Sequence, residues 1–287
     1  METSTKSAIR ADNIVKSFGK KKVLGGVSFN VTKGQIFGLL GPSGAGKTTL
    51  IKILTGQLTC DCGTALINCV RADKLKSGER KRFGIMMDDF GIYERLSCYE
   101  NLKIFAEIYG IGKDGIVSAL KKVGLDGAEK TSASKLSKGM RVRLRLARAF
   151  MTDPDIIFLD EPTSGLDPAT AEEIHKIMLE EKEKGKTIFL TTHTMSEAEK
   201  LCDEIVMINE GGIVEQGSPK EICRRYNHQR MLQIHLSSGE DIQLRHDEKA
   251  AQRLSELIAD GSAETIHTTE PNLETVFMEL TGKELAV

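Results

Sequence analysis

Residues 41–48 read Gly-Pro-Ser-Gly-Ala-Gly-Lys-Thr, and they constrain the fold of this chain more than any other segment. They follow an apolar run at residues 35–40 with the composition of a buried strand, and Lys47 opens a helical pattern that continues to Thr55. Glycines in such a loop let successive backbone N–H groups surround an anion at the helix N-terminus. The sequence therefore predicts a phosphate-binding loop, in which Lys47 contacts the β- and γ-phosphates and Thr48 offers its hydroxyl to Mg²⁺.

Short apolar runs alternate with helical patterns through the first 227 residues. This alternation predicts an α/β fold with a mostly parallel sheet. The phosphate loop at residues 41–48 identifies it as a P-loop ATPase core, since this loop typically binds nucleotide phosphates. We also expect an antiparallel β portion near the N-terminus. The pattern is helical throughout residues 99–151, which predicts an inserted helical subdomain at about residues 94–151. The other predicted strands are 155–159 and 187–191, and the other helices are 168–184 and 195–201.

Two acidic residues end the apolar run at residues 156–159. A buried strand delivers such carboxylates to the carboxyl edge of a parallel sheet, where ligands bind in this class of fold. Asp160 is predicted to hold Mg²⁺ through a water, and Glu161 to polarise the attacking water. The pair alone would also fit a strand that ends in solvated acids, but together with the phosphate loop it predicts a nucleotide triphosphatase.

The overall charge balance disfavours some partners, although it leaves a local basic patch open. The chain has 40 Lys plus Arg and 41 Asp plus Glu, a net charge of −1, which gives no support to nucleic-acid wrapping or to a polybasic membrane anchor. No apolar stretch approaches the roughly 20 residues that span a bilayer. Residues 1–10 lack the apolar core of a signal peptide, so we expect a cytosolic chain without a nucleic-acid partner.

Six cysteines are expected to be reduced thiols in such a chain. Cys60, Cys62 and Cys69 are close enough in sequence to suggest a metal site. They lack a second nearby pair, however, so small residues in a turn and strand are the favoured interpretation.

The C-terminal part of the chain differs in charge from the rest. Residues 228–287 contain 5 basic and 11 acidic residues, a net charge of −6. A polar segment at 224–227 precedes them and is typical of a linker. We therefore predict a cassette over residues 8–227 and a small α+β domain over 228–287, with strands at 231–236, 241–244 and 264–267 and helices at 247–259 and 272–280.

Residues 136–140, Leu-Ser-Lys-Gly-Met, open a helical pattern ahead of Asp160. They resemble the signature motif of ABC-type ATPases, and the other landmarks of that family are present in order. Phe18 stands where an aromatic residue stacks on adenine, residues 164–167 resemble the D-loop, and His193 matches the switch histidine. The similarity covers about residues 8–226.

The resemblance implies a head-to-tail dimer with a second copy or a similar cassette. Ser137 and Gly139 form an anion site at a helix N-terminus, which in this family caps the γ-phosphate held by the partner subunit. The cofactors implied are ATP and Mg²⁺. The residues assigned to ATP binding are Phe18, Gly41, Pro42, Ser43, Gly44, Ala45, Gly46, Lys47, Thr48, Thr49, Ser137, Gly139 and Asp167. The catalytic residues are Glu161, His193 and Lys47. The residues assigned to the metal ion are Thr48, Asp160 and Asp88.

Three landmarks have simpler alternatives. Phe18 would also fit a partly exposed aromatic residue at a strand end, and His193 a polar residue at a strand end. The arginines between residues 141 and 148 suggest nucleic-acid binding, but the family pattern itself has arginines at 143 and 148, and a solvated helix face explains the rest.

The sequence departs from the usual family pattern at the signature and Q-loop motifs. Lys138 replaces the usual glycine and Met140 the usual glutamine, a variant that resembles many single-cassette exporters. Alignment through Gly84 puts Asp88 where the Q-loop glutamine belongs. An acidic residue at this position resembles the lantibiotic-immunity branch of the family, whose loop carries glutamate. The alternative is an alignment shifted by one or two residues, in which Asp88 and Asp89 lie in a solvated loop.

Residues 270–282 resemble the ending of ATP-binding subunits of ABC-2-type exporters, such as the bacitracin, lantibiotic-immunity and multidrug transporters. An ordinary amphipathic helix would give the same periodicity. We expect an ATPase that powers export of a peptide antibiotic, drug or lipid-like cargo. It would act at the cytoplasmic face of the cell membrane, through an integral-membrane permease that docks near residues 88–102.

Other functions remain open at this point. A cassette ATPase of DNA repair, translation or cell-envelope signalling is one alternative, and an importer subunit is another. The repair type needs a long coiled-coil insertion, whereas residues 57–135 of this chain show only short helical patterns. The translation type carries two cassettes per chain, whereas this sequence has one set of motifs. A P-loop kinase or GTPase is disfavoured by the signature motif.

Overall fold

The computed structural model describes residues 7–87, 91–227, 231–245, 247–269 and 271–282. The strands form three sheets. In chain order they are β1 (Ser7–Phe18), β2 (Lys21–Thr32), β3 (Ile36–Leu40), β4 (Cys62–Ile67), β5 (Val70–Arg71), β6 (Phe83–Met86), β7 (Ile156–Asp160), β8 (Thr187–Thr192), β9 (Glu204–Asn209), β10 (Gly212–Gly217), β11 (Met231–Leu236), β12 (Asp241–Arg245) and β13 (Ala263–Thr269).

The helices of the described residues lie between these strands and after the last one. Two short 3₁₀ turns accompany them, at Ala72–Lys74 and Ala133–Lys135. The α-helices are α1 (Lys47–Leu54), α2 (Ser77–Arg80), α3 (Cys98–Tyr109), α4 (Lys113–Lys122), α5 (Lys138–Phe150), α6 (Pro168–Glu183), α7 (Met195–Leu201), α8 (Pro219–Arg225), α9 (Glu248–Ala259) and α10 (Leu273–Thr281).

The central sheet has six strands in the order β10-β9-β3-β8-β7-β6. All neighbouring strands run parallel except β10, which is antiparallel to β9. Every residue of β3 and β7 is buried, as expected for parallel strands that are covered on both faces. The predicted α/β fold with a mostly parallel sheet is confirmed.

An antiparallel sheet covers one face of the central sheet. Its strand order is β2-β1-β4-β5, which confirms the antiparallel portion expected near the N-terminus. Phe29 of this sheet stacks on Phe37 of the central sheet, with ring centroids 5.1 Å apart, and Phe37 stacks on Phe189 at 5.6 Å. This aromatic layer joins the two sheets into one core.

The helices α3, α4 and α5 come between β6 and β7 in the chain, where the helical insertion was predicted. The expectation of helix throughout residues 99–151 is wrong for residues 110–112, which separate α3 from α4, and for residues 123–137, which contain turns and one 3₁₀ turn. Gly124 and Gly127 both have positive φ and end the helical path there. Ser97 and Ser132 then form an isolated antiparallel bridge, which ties this loop to the start of α3.

The C-terminal elements divide into two groups. β11, β12 and β13 form an antiparallel sheet in the order β12-β11-β13, and Leu257 of α9 packs in one cluster with Ile234 of β11. The last helix, α10, instead packs on α7 and α8, and its Leu273, Val276 and Phe277 belong to the main core. The proposed division at residues 227 and 228 stays a prediction.

Candidate active site

A cavity of about 560 Å³ lies over the phosphate loop and the carboxyl ends of β7 and β1. It brings together residues that the sequence places more than a hundred positions apart. Its lining consists of Phe18, Lys21, Val23, Ser43, Gly44, Gly46, Lys47, Thr48, Thr49, Lys52, Met87, Asp160 and Glu161.

The phosphate loop is closed by the side chain of its own lysine. Lys47 is 5% exposed, and its Nζ donates to the carbonyl oxygens of Gly41 at 2.7 Å and Pro42 at 3.2 Å. Gly46 caps α1 with a φ of 107°, and a Cβ there would lie 2.7 Å from Leu24 Cδ2. Only glycine fits this position, since a side chain would meet both backbone strain and a buried leucine.

Asp160 is buried at the carboxyl end of β7, with 4% of its surface exposed. Thr48 Oγ1 donates to its Oδ2 at 2.8 Å, and Thr191 Oγ1 donates to its Oδ1 at 2.5 Å. Thr191 was not singled out from the sequence. The parallel register of β7 and β8 pairs it with Asp160, so only the strand order reveals this contact.

Glu161 joins three parts of the site. Its Oε1 forms an ion pair with Lys47 Nζ at 3.1 Å, and its Oε2 lies 3.1 Å from His193 Nδ1. The residue has a φ of 48°, a conformation that non-glycine residues rarely adopt. This turn at the strand end directs the carboxylate toward the phosphate loop, and His193 reaches it from the end of the adjacent strand β8.

Phe18 ends β1 at the rim of the cavity. Half of its surface is exposed (52%), and Lys16 Nζ lies 5.5 Å from the ring centroid. A large aromatic face at the mouth of a cavity is available for stacking on a planar ring. Lys21 and Lys52 also line the cavity and add positive charge, although no sequence motif marks them.

The signature and D-loop residues do not line this cavity. Ser137 caps α5 and accepts a hydrogen bond from Met140 N at 3.2 Å, while Asp167 caps α6 and accepts from Thr170 N at 3.0 Å. The Thr170 hydroxyl also donates to Asp167, and these bonds lower the pKa of the Asp167 carboxyl. Gly139 faces the same threonine, because a Cβ there would lie 2.5 Å from Thr170 Cγ2.

One residue predicted as part of the metal site is not among the described residues that line the cavity. Asp88, predicted as a metal ligand, lies outside the described residues, as does Asp89. Among the residues that the structure describes, no group of three or more His, Cys, Asp or Glu side chains is arranged to hold a metal ion. In the same residues, no helix has the length and apolar character required to cross a membrane.

The strand–loop–helix phosphate site, the buried aspartate beside the loop threonine, and the glutamate that follows it define a P-loop nucleoside triphosphatase. A family model described as "ABC transporter" matches residues 24–164. The chain belongs to the ABC transporter family of ATP-binding proteins and is an ATPase, so the resemblance seen in the signature motif is confirmed.

Two relatives and one solved structure illustrate the similarity. The chain is 38% identical over 267 residues to the fluoroquinolones export ATP-binding protein of Mycobacterium tuberculosis, covering 91% of this chain and 88% of the relative. It is 31% identical to the linearmycin resistance ATP-binding protein of Bacillus subtilis, and the match covers 96% of this chain and 99% of the relative. A dimeric structure of a bacterial ABC transporter cassette matches with a TM-score of 0.67 at 25% identity, covering 73% of this chain and 98% of the cassette.

Proposed function

We propose that the chain is the ATP-binding subunit of an exporter, and that it acts at the cytoplasmic face of the cell membrane with a separate integral-membrane permease. The names of both relatives, which refer to fluoroquinolone export and to linearmycin resistance, support a drug as cargo. The sequence resemblance extends this proposal to a peptide antibiotic or lipid-like cargo. The observation that carries the proposal is a second groove that shares Met87 with the ATP cavity.

This groove has a volume of about 510 Å³ and lies between α3, β6 and α5. Phe105 and Tyr109 line it with apolar surface, and the guanidinium of Arg148 lies 4.9 Å from the Phe105 ring centroid. Burial lowers the pKa of Arg148, whose Nη1 donates to the Gly91 carbonyl at 3.1 Å. A cytosolic helix of the permease, apolar with a hydrogen-bond acceptor near Arg148, fits this lining.

Hydrolysis follows from the contacts of Lys47 and Glu161. The γ-phosphate of ATP competes with Glu161 for the Lys47 ammonium, since a phosphate carries more negative charge than a carboxylate. Glu161 Oε1 is then free to accept a proton from the attacking water, while Oε2 stays with His193. His193 thereby orients the general base, and Lys47 stabilises charge that develops on the γ-phosphate.

The residues near Thr48 suit a magnesium ion. The Thr48 hydroxyl and the Asp160 carboxylate lie 2.8 Å apart and offer oxygen ligands, which Mg²⁺ prefers in combination with nucleotide phosphates. When bound, the ion neutralises phosphate charge. Asp88, outside the described residues, is proposed as a further acidic ligand from its sequence position alone.

The site is completed by a second subunit in head-to-tail orientation. Ser137, Gly139 and Asp167 do not line the ATP cavity of their own chain, although the family motif assigns them to ATP. A dimeric cassette of similar fold supports self-association. Each composite site then takes Lys47, Glu161 and His193 from one chain, and Ser137 and Gly139 from the other.

Mixing two inactive variants tests the head-to-tail dimer. Lys47→Ala and Ser137→Arg damage opposite halves of the site, so a mixed dimer retains one intact composite site. Random pairing predicts recovery of roughly a quarter of the wild-type ATPase rate. The control mixes Lys47→Ala with Glu161→Gln. Both substitutions lie in the same half of the site, so every composite site of a mixed dimer carries one of them and no ATPase activity is recovered. Equal activity in the two mixtures would contradict the arrangement.

The permease proposal is tested on two residues of the same helix. Phe105 lines the groove, whereas Ile108 is 67% exposed and is not among the lining residues. Phe105→Glu should reduce co-purification with a hydrophobic subunit from membranes and should retain the basal ATPase rate, while Ile108→Glu should retain both. If both variants keep the membrane subunit, the groove is not its docking site.

A further inference from the structure

Glu197 is a buried carboxylate close to the active site that the mechanism above does not use. It is 4% exposed and lies in the first turn of α7, four residues after His193. Its Oε1 accepts a hydrogen bond from Thr163 Oγ1 at 2.6 Å and lies 3.0 Å from His175 Nε2. We call Thr163, His175 and Glu197 the carboxylate brace.

The local sequence alone would give Glu197 a different role. A glutamate at the third position of a helix commonly reaches back to the backbone N–H of the N-cap residue. Here the N-cap residue is Thr194, and its N–H donates to Thr192 Oγ1 at 3.0 Å instead. The Glu197 side chain is therefore not used to cap α7, and it turns into the core toward two other segments.

The brace depends on its two donors. Glu197 Oε2 and His175 Nδ1 have no hydrogen-bond partner among the described residues, although Glu172 Oε2 lies 3.7 Å from His175 Nδ1. A buried carboxylate is costly unless it is hydrogen-bonded. Since an ionised carboxylate only accepts, His175 donates from Nε2, and the Thr163 hydroxyl supplies the second bond.

The brace closes a ring around the catalytic pair. Thr163 comes two residues after Glu161, and Glu197 comes four residues after His193. Glu161 and His193 contact each other at one side of this ring, and Thr163 and Glu197 contact each other at the other. The second contact limits how far the backbone segments that carry Glu161 and His193 can move apart, because each short segment is held at both ends.

The brace also holds the D-loop. Residues 164–167 begin directly after Thr163 and end at Asp167, the N-cap of α6, while His175 anchors α6 from within the core. The loop is thus attached to the brace on both sides.

We infer that Glu197 is a positioning residue for ATP hydrolysis, which keeps Glu161 and His193 in contact and fixes both ends of the D-loop. This inference rests on the proposed roles of Glu161 and His193. It predicts that loss of either brace contact affects the rate of the chemical step, with ATP binding left intact, because none of the three residues lines the ATP cavity.

The test compares Glu197→Leu and Thr163→Val with two controls in the full chain. Leucine cannot accept the bonds from Thr163 and His175, whereas a glutamine oxygen in the place of Oε1 still could. Both variants should lower kcat about 10- to 100-fold, the usual cost of a small displacement of catalytic groups. The affinity for a fluorescent ATP analogue and the far-UV circular dichroism should stay unchanged. Thr163→Ser keeps the hydroxyl and should restore most of kcat. Glu183→Leu makes the same chemical change at an exposed position of α6, the helix that carries His175, and should keep the wild-type rate.

The outcomes separate the inference from the proposed function. If Glu161→Gln is inactive but Glu197→Leu and Thr163→Val turn over normally, the brace has no positioning role. The positioning role is equally refuted if the loss is in KM rather than kcat, or if Thr163→Ser is as slow as Thr163→Val. If Glu161→Gln itself hydrolyses ATP normally, the proposed general base is wrong. Should Glu197→Leu fail to fold, the comparison of Thr163→Val with Thr163→Ser decides alone.

Discussion

Replacement of Phe277 in the last helix tests whether α10 is a structural part of the ATPase core. Phe277 is 1% exposed, and its neighbours Leu273 and Val276 are fully buried in the cluster that also contains residues of α7 and α8. The Glu199 carboxylate of α7 accepts a hydrogen bond from Leu273 N at 2.6 Å, so the start of α10 is tied to the same helix. Phe277→Ala removes the largest side chain from this contact.

The expected cost follows from the burial. Truncation of a fully buried phenylalanine to alanine typically costs about 3–5 kcal/mol, through lost transfer free energy and the cavity left behind. Since whole domains are stable by only about 5–15 kcal/mol, this is a large fraction of the total. At about 2 °C per kcal/mol for a chain of this size, the melting temperature should fall by roughly 6–10 °C.

The matched control is Ile258→Ala in α9. Because Ile258 is 57% exposed, this substitution should lower the free energy of unfolding by less than about 0.5 kcal/mol. The chain has no tryptophan, so thermal unfolding is best followed by far-UV circular dichroism or calorimetry. The decisive measurement is the melting temperature of the main unfolding transition. It is compared for both variants at equal protein and ATP concentrations. If Phe277→Ala shifts it no more than Ile258→Ala does, α10 is not part of the core and the reasoning fails.

Three further predictions concern the ATP site. Glu161→Gln should bind ATP and accumulate as a dimer in size-exclusion chromatography with ATP and Mg²⁺, with turnover lowered about 10²–10⁴-fold, whereas near-normal turnover would remove Glu161 from its role. Thr191→Val should raise the Mg²⁺ concentration for half-maximal hydrolysis about tenfold or more, because Asp160 loses the donor that orients it; an unchanged metal titration would count against this. Asp88→Gln should also shift the Mg²⁺ or Mn²⁺ dependence and the response to the permease, with Asp89→Asn as control, and no change in either would refute the acidic-loop hypothesis.

The elements next to the site could be predicted from the sequence because their patterns are local. The helix at residues 195–201 has the predicted bounds, and the predicted strands at 155–159 and 187–191 agree with β7 and β8 to within one residue. The helical pattern over 99–151 failed at 110–112 and at 123–137, where glycines with positive φ outweigh the apolar periodicity. The predicted helix at 272–280 is present as α10, but its periodicity did not show which surface it packs against.

The sequence by itself determined the chemistry of the phosphate loop. A strand, glycines and Lys47 occupy adjacent positions, and an anion site at a helix N-terminus is built from consecutive residues. For the same reason the family could be recognised from residues 136–140. These features depend on the order of neighbours along the chain.

Only the tertiary structure decided what surrounds the catalytic carboxylates. Thr191 reaches Asp160 because parallel register places them side by side, and His193 reaches Glu161 from the same neighbouring strand. Glu197 could have capped its own helix, yet it turns inward to Thr163, 34 positions earlier in the chain. Such contacts depend on strand order and on the packing of helices over the sheet, which no local pattern encodes, because residues distant in sequence become neighbours only when the core is assembled.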